Sequence, residues 1–289
     1  MESFASKLAY LLTSARRSVT GRGSACPNCG APAASVVDRK YLVTRLARCS
    51  GCRLLYRAPT TAREDSEAFY QSDYAEGFTT DTPGDETLRC YMEAGFPAEK
   101  DYGRYIEVVD AAQSTRGRRL FDYGCSWGYG SYQFRRHGFD VEAFEISRPR
   151  AAYAREKLGV AVHESLASVR AGFDVFFCSH VLEHLPAVQE AIDFAFKILV
   201  PDGVFVAVTP NGASAFRQRE PAAWHRAWGF VHPNFLDPDF YALTFRERPY
   251  LITSDPYTPE EIAAWRASGQ QVIGDTGRGS ELLVLAQNA

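Results

Sequence analysis

The hydrophobic and polar positions from residue 118 onwards alternate between short apolar runs and segments of helical periodicity. The apolar runs predict strands at 118–123, 140–145, 160–163, 173–178 and 203–209, and two last strands near 271–274 and 281–287. The segments between them predict helices at 128–137, 148–158 and 187–199, and a short helix that begins at Thr258. This alternation predicts an α/β fold in which a doubly wound, mostly parallel sheet carries helices on both faces.

The remaining segments differ from this pattern and suggest separate units. Residues 1–20 place apolar side chains at helical spacing and predict an amphipathic helix, packed on the body of the protein or on a second subunit in a homodimer. Residues 21–60 contain two cysteine pairs and predict a small N-terminal module. Residues 61–117 are rich in acids and tyrosines and predict a helical linker or lid. Residues 118–289 form the main domain, interrupted by the loop-rich aromatic segment 210–257.

Composition places the chain among soluble globular proteins. Of its 289 residues, 46% are hydrophobic and 23% are charged. No apolar run approaches the roughly 18 residues that a membrane span needs. The first 20 residues lack the features of a secretory signal peptide, which predicts a cytoplasmic protein with reduced thiols.

The charge is distributed unevenly. Residues 1–60 carry ten Lys and Arg against two acids, a net charge of +8, whereas the whole chain has −3, so the remainder carries −11. A basic head on an acidic body has two interpretations. It provides a docking surface for an anionic partner, or the two parts of the chain attract each other.

Four of the seven cysteines have the spacing of a zinc site. Cys26, Cys29, Cys49 and Cys52 form two C-x2-C pairs separated by nineteen residues. Four thiolates satisfy tetrahedral zinc and leave no open position, which predicts a structural Zn2+ ion. Two disulfides are the competing interpretation, and the predicted cytoplasmic location argues against them.

The stretch LFDYGCSWGYGSYQF, Leu120 to Phe134, predicts a strand, a glycine-rich turn and a helix. The turn lets a ligand approach the backbone closely. It lacks the Lys-Ser/Thr of a phosphate-binding P-loop, and its glycine order differs from a dinucleotide fingerprint. Glu145 ends the next predicted strand about twenty residues later, where an acid can bind both hydroxyls of a ribose.

The order of these motifs resembles the class I S-adenosylmethionine-dependent methyltransferases over about residues 118–211, and more loosely beyond. That family has a seven-stranded sheet and a first turn of the form D/E-x-G-x-G-x-G, and in this chain a serine replaces the middle glycine. The resemblance implies S-adenosylmethionine as the cofactor. It implies that Asp122, Gly124, Ser126 and Gly128 surround the methionine end, Glu145 binds the ribose, Ser165 and Leu166 flank the adenine, and Ser179 and His180 lie beneath the sulfonium.

A four-cysteine zinc module ahead of such a domain is similar to the deoxysugar C-methyltransferases and to methyltransferases of polysaccharide and natural-product pathways. In those enzymes tyrosines ahead of the domain close over the cofactor, which implies Tyr70 or Tyr74 here. The chain lacks their long C-terminal domain, and this argues against the same reaction.

Histidines are the candidates for a catalytic base, because a methyltransferase acting on a hydroxyl must remove its proton. His180, Glu183 and His184 share one face of a helical turn and could form a base with its orienting carboxylate, or a weak divalent-metal site. Glu183 and His184 could instead brace the following helix. His180 is the first candidate for the base and His232 the second.

The aromatic segment supplies the candidate substrate contacts. Trp224 and Trp228 interleave with His225 and His232 in AAWHRAWGFVHPNF. Such a loop at the carboxyl edge of the sheet could stack on a sugar or an aromatic ring. The alternative is a small satellite core beneath a long loop.

Together these features predict an S-adenosylmethionine-dependent methyltransferase that methylates a hydroxyl of a sugar or another small metabolite. The alternatives are a sugar C-methyltransferase, an RNA methyltransferase that uses the zinc module, and a non-catalytic zinc-binding scaffold. The acidic body and the absence of an N/D-P-P-Y/F motif after the fourth strand argue against a nucleic-acid substrate.

Overall fold

The computed structural model describes residues 4–20, 23–60, 82–113 and 117–288. Within these ranges the chain forms two β-sheets and the helices that pack on them. The predicted lid residues Tyr70 and Tyr74 lie outside the described residues.

The larger sheet has eight strands, namely β4 (Arg119–Tyr123), β5 (Asp140–Phe144), β6 (Ala161–His163), β7 (Phe173–Ser179), β8 (Leu199–Pro210), β10 (Tyr250–Ser254), β11 (Gln271–Ile273) and β12 (Glu281–Gln287). Their order across the sheet is β11-β10-β12-β8-β7-β4-β5-β6. The pairs from β6 to β8 are parallel, and β12 runs antiparallel to β8 and β10. The mostly parallel α/β fold is therefore confirmed. The sheet has eight strands where seven are predicted, because β10 is an additional strand; the predicted β11 lies at the edge, parallel to β10.

The helices are α1 (Phe4–Thr20), α2 (Asp85–Ala94), α3 (Gly103–Ala112), α4 (Tyr129–Arg136), α5 (Arg148–Leu158), α6 (Val188–Ile198), α7 (Ser214–Arg219), α8 (Pro221–Ala227), α9 (Pro238–Thr244) and α10 (Pro259–Ser268). Two cores form, because the strands are apolar on both faces. One core packs α6 and α9 against the large sheet, and the other packs α3, α4 and α10 against its opposite face.

The smaller sheet joins two distant parts of the chain. Its strands β1 (Ala33–Lys40), β2 (Thr44–Cys49) and β3 (Leu55–Ala58) come from the N-terminal module, and β9 (Asn234–Phe235) comes from the aromatic segment. All neighbours are antiparallel, and β9 pairs with β3. The core of the module is also continuous with the core around α6. The module and the aromatic segment therefore pack as one unit against the large sheet.

Part of the aromatic segment differs from its prediction as a loop. Tyr250–Ser254 forms β10, in which every residue is buried. The five-residue segment YLITS has prolines nearby and does not indicate a strand by periodicity. Its pairing with β12 and β11 defines the strand.

The N-terminal helix α1 lies against the module. Arg17 donates a hydrogen bond to the carbonyl of Thr60, and the Ser18 hydroxyl donates to the carbonyl of Val43. Among the described residues, no helix combines the length and the apolarity required to cross a membrane.

Candidate active site

The turn after β4 follows a left-handed path that needs glycine. Gly124 has a φ of +84°, and a Cβ added there would lie 2.5 Å from Val181 Cγ2. Gly128 has a φ of +87°, and an added Cβ would lie 2.7 Å from Ala154 Cβ. Gly124 therefore shapes the turn, whereas Gly128 lets α4 pack closely on α5. Ser126 adopts a positive φ of 53° without being glycine, which is a strained conformation for a residue with a Cβ.

Two buried carboxylates hold this turn in place. The Glu145 carboxylate accepts the backbone N–H of Ser126 at 2.9 Å and that of Ser147 at 2.7 Å. Burial raises the pKa of Glu145, and these two N–H groups act in the opposite direction. Asp122 accepts a 2.5 Å hydrogen bond from the Ser131 hydroxyl, and burial raises the pKa of Asp122 to about 7. Glu145 thus ties the turn to the end of β5, and Asp122 ties it to α4.

A cavity of about 270 Å³ opens beyond the carboxyl ends of β4, β5 and β7. Four of the residues predicted to bind the cofactor line it, namely Gly124, Glu145, Leu166 and His180. Asp122, Ser126, Gly128, Ser165 and Ser179 are not among its lining residues, and Tyr74 lies outside the described residues. Ser165 is exposed, and its hydroxyl caps a short turn by accepting the N–H of Ala167.

Sequence reasoning missed the apolar lining of this cavity. Ile146, Val181, Leu185 and Pro186 are among the lining residues. Ile146 is 36% exposed, unusual for a large apolar residue directly after a buried strand end. That position, next to the predicted ribose acid, is the signal that could have identified it.

His180 lies between two carboxylates, which makes it unsuited to be the base. Its Nδ1 is 3.4 Å from Glu183 Oε1, and its Nε2 is 3.0 Å from Glu281 Oε1. Burial disfavours the charged ring, but the two acids outweigh this effect and raise the pKa of His180 to about 10. Because both nitrogens hold protons at neutral pH, the ring has no lone pair for a substrate proton. This arrangement argues against His180 as the base, and the identity of the base stays a prediction.

A second cluster lies beside His180. Ligand atoms of Glu183, His184 and His232 all lie within 4.8 Å of one another, and the two imidazole rings are 4.7 Å apart. His184 lines the cavity. Burial lowers the pKa of His184 to about 4, so this ring is neutral at physiological pH. The cluster therefore places the neutral His184 imidazole and the His232 ring beside a buried carboxylate.

Two of the predicted substrate residues are buried in a hydrophobic core, which argues against a stacking platform at these positions. Trp224 and Trp228 are each 2% exposed and pack with Phe235 between the small sheet and the helices α7 and α8. The exposed ring of His225 makes a 2.6 Å contact with Asp38 of β1. Three of the four predicted substrate residues are thus occupied by contacts with the module. The fourth, His232, belongs to the cluster beside the cavity.

The four predicted zinc ligands converge at one end of the small sheet. The Sγ atoms of Cys26 and Cys52 are 3.6 Å apart, and those of Cys29 and Cys49 are 3.4 Å apart. Zn–S bonds of about 2.3 Å in a tetrahedron place two sulfurs roughly 3.8 Å apart. These separations exceed a disulfide bond of about 2 Å, and the four cysteines are free. The cluster fits a zinc ion.

The sheet order, the glycine turn and the acid that follows β5 define a class I S-adenosylmethionine-dependent methyltransferase. The sequence model of the family described as "Methyltransferase domain" matches residues 98–252. The chain belongs to this family.

Relatives with curated names are similar over parts of the chain. The ubiquinone biosynthesis O-methyltransferase of Xanthomonas axonopodis pv. citri (strain 306) is 29% identical over 183 residues, which cover 60% of this chain and 70% of that protein. The protein of the same name from Psychrobacter cryohalolentis is 32% identical over 113 residues, or 35% of this chain. The chain spans 44% of the length of that relative.

Solved structures share the fold at low identity. The geranyl diphosphate C-methyltransferase of Streptomyces coelicolor A3(2) superimposes with a TM-score of 0.50 at 14% identity, over 80% of this chain and 99% of that chain. The plantazolicin methyltransferase BpumL also gives a TM-score of 0.50, at 11% identity over 78% of this chain and 96% of that chain.

Proposed function

We propose that this chain is an S-adenosylmethionine-dependent O-methyltransferase that acts on a small hydroxylated metabolite. The observation that carries the proposal is the position of Glu145. This buried carboxylate lines the cavity and is held by the glycine turn, at the strand end where an acid would bind a ribose. The O-methyltransferase names of the curated relatives support transfer to a hydroxyl.

In this proposal the cavity binds the nucleoside end of the cofactor. Glu145 accepts hydrogen bonds from the ribose hydroxyls, Leu166 and Ile146 contact the adenine, and the turn between Gly124 and Gly128 faces the amino-acid end. The cofactor supplies a methyl group that is already activated. The protein therefore contributes mainly the position of the acceptor and the removal of its proton.

We assign the acceptor hydroxyl to the cluster of Glu183, His184 and His232. His180 cannot take the proton, because both of its nitrogens face carboxylates. As a cation it stabilises negative charge near the transfer site. The free ring nitrogens of His184 and His232 are the remaining groups that can act on a hydroxyl beside the cavity.

We further propose that the acceptor group is a hydroxyl of a sugar. The four-cysteine module ahead of the domain supports it, because the same arrangement is found in sugar and polysaccharide methyltransferases. A phenolic hydroxyl is the second candidate, because the curated relatives are named ubiquinone biosynthesis O-methyltransferases and the ring hydroxyls of a reduced quinone are phenolic. We also propose that the four cysteines bind one structural Zn2+ ion.

Calorimetry with S-adenosylhomocysteine tests the cofactor site. A hydrogen bond to a charged group contributes about 1.5–3 kcal/mol, so Glu145→Gln should weaken binding by roughly 10- to 150-fold. Glu156→Gln, the same substitution at an exposed position of α5, should leave the affinity unchanged. No binding to the wild type at millimolar ligand, or equal affinity of the two variants, would refute the proposal.

Transfer of a labelled methyl group from S-adenosylmethionine distinguishes the acceptors. One panel contains nucleotide sugars and the other contains catechols and simple phenols. Methylation confined to the first panel supports the sugar, methylation confined to the second supports the phenol, and transfer to a carbon of either class contradicts O-methylation.

A further inference from the structure

The cluster of Glu183, His184 and His232 combines two imidazoles and one carboxylate at ligand distance. Its ligand atoms all lie within 4.8 Å of one another. Imidazole and carboxylate together suit divalent transition metals, and two histidines with one carboxylate leave coordination positions open. The residue types therefore match a metal centre, and the hydrogen bonds around them test whether the ring nitrogens are available.

The Nδ1 atom of each histidine forms a hydrogen bond with a backbone carbonyl. His184 Nδ1 lies 2.9 Å from the carbonyl of Val231, and His232 Nδ1 lies 2.7 Å from the carbonyl of Ala227. A carbonyl only accepts, so each Nδ1 must carry the proton. In the neutral form of each ring, Nε2 then presents a lone pair. Histidines that bind a metal through one nitrogen characteristically donate the other N–H to such a partner.

Glu183 supplies a second, independent observation. Its side chain is fully buried, and neither carboxylate oxygen accepts a hydrogen bond within the part of the chain that the structure describes. The nearest basic nitrogens are His180 Nδ1 at 3.4 Å and His184 Nε2 at 4.0 Å. The ion pair with His180 offsets part of the cost of burying this carboxylate, and a bound cation would offset more of it by contacting the carboxylate oxygens directly.

We propose that Glu183, His184 and His232 form a second metal site, which binds one divalent transition-metal ion of the Zn2+ or Co2+ type. It is chemically distinct from the four-cysteine cluster, because its donors are nitrogen and oxygen. His184 lines the cavity, so an open position of the ion can face the acceptor oxygen and promote loss of its proton to a water in the cavity. With the ion bound, the two ring nitrogens are its ligands and do not take this proton. That catalytic role rests on the proposed function, whereas binding of the ion does not.

The third ligand depends on the N-terminal module. His232 precedes β9, which pairs with β3 through Leu55 opposite Phe235. The backbone N–H of Arg57 also donates to the carbonyl of Pro233 at 2.7 Å. The module thus holds the chain segment that completes the site.

Cobalt(II) titration of the full-length protein, with zinc already bound to its cysteine cluster, tests the site. We expect one further equivalent of cobalt, with weak visible absorption and without the intense thiolate-to-cobalt bands of a cysteine site. Loss of a group that only hydrogen-bonds to a metal ligand typically weakens metal binding by about 10- to 100-fold. His232→Ala removes a ligand itself, so it should weaken cobalt binding by at least ~100-fold. Glu183→Gln should do the same.

His225→Ala is the matched control, because it removes a histidine from the same segment that contacts Asp38 outside the cluster. It should bind cobalt as the wild type does. Thermal unfolding of the zinc-loaded variants checks that each is folded. No second equivalent in the wild type, or unchanged cobalt affinity in both folded ligand variants, overturns the site. If cobalt binds but no acceptor is methylated, the metal site stands and the proposed function fails.

Discussion

Replacement of Trp224 by alanine tests whether the aromatic segment is a core or a substrate platform. The Trp224 ring is 2% exposed and lies 5.0 Å from the ring of Phe235. Its indole N–H donates to the carbonyl of Gly212 at 3.1 Å, and the Arg217 guanidinium stacks 4.5 Å from the ring centroid. Truncation of a buried tryptophan costs about 3–5 kcal/mol, and the loss of the indole leaves the Gly212 carbonyl unpaired. We therefore expect Trp224→Ala to lower the free energy of unfolding by about 3–5 kcal/mol.

Urea unfolding followed by tryptophan fluorescence and by circular dichroism measures this change, and a saturation curve with the acceptor measures KM. His225→Ala, the adjacent substitution at a partly exposed hydrogen bond with Asp38, should change stability by no more than about 1 kcal/mol. If the segment is a core, Trp224→Ala is strongly destabilised and its KM, measured at a temperature where it is folded, changes little. A stability loss below about 1 kcal/mol together with a tenfold rise in KM would refute the core interpretation.

Three further predictions concern the turn, His180 and the cysteine cluster. Gly124→Ala should lower the free energy of unfolding by about 2–5 kcal/mol, because alanine is strained at a left-handed φ and its Cβ would clash with Val181. In urea unfolding, the double variant Gly124→Ala/Val181→Ala should recover part of this loss. In the protein without a second metal ion, the ion pairs of His180 with its two carboxylates raise the pKa of His180 to about 10. Their contribution to stability is fully present below pH ~6.5 and is lost as the pH rises through 10. The free energy of unfolding of the wild type should therefore fall more over that interval than that of His180→Gln. Cys29→Ser should abolish binding of the first zinc equivalent and lower Tm, and equal zinc content by mass spectrometry would contradict the assignment.

The elements that were predictable from sequence are those whose pattern is local. The helix at 148–158 begins and ends where the sequence predicts, because Ser147 and Gly159 flank it and Pro149 occupies its first turn. The position of Glu145 was equally predictable, since an acid directly after an apolar run lies at a strand end.

The elements that were not predictable depend on distant partners. The protonated state of His180 requires Glu281, which lies 101 residues away in the sequence. The pairing of β9 with β3 joins residues about 180 positions apart, and a two-residue strand has no periodicity to reveal it. An aromatic segment of this composition could form either a buried core or a stacking platform. The burial of Trp224 and Trp228, which the sequence does not reveal, distinguishes the two interpretations.

The N-terminal module braces both sides of the candidate active site. The Asn28 side chain, between Cys26 and Cys29, accepts the backbone N–H of Gln189 at 2.7 Å and so holds the first turn of α6, just after the cavity-lining Pro186 and Ala187. On the other side β3 holds β9, and with it His232. If the proposed zinc ion is removed, we expect both restraints to weaken together, while the core on the opposite face of the large sheet is retained. The cavity would therefore lose its acceptor side before the main domain unfolds, which gives a structural zinc ion a direct influence on catalysis.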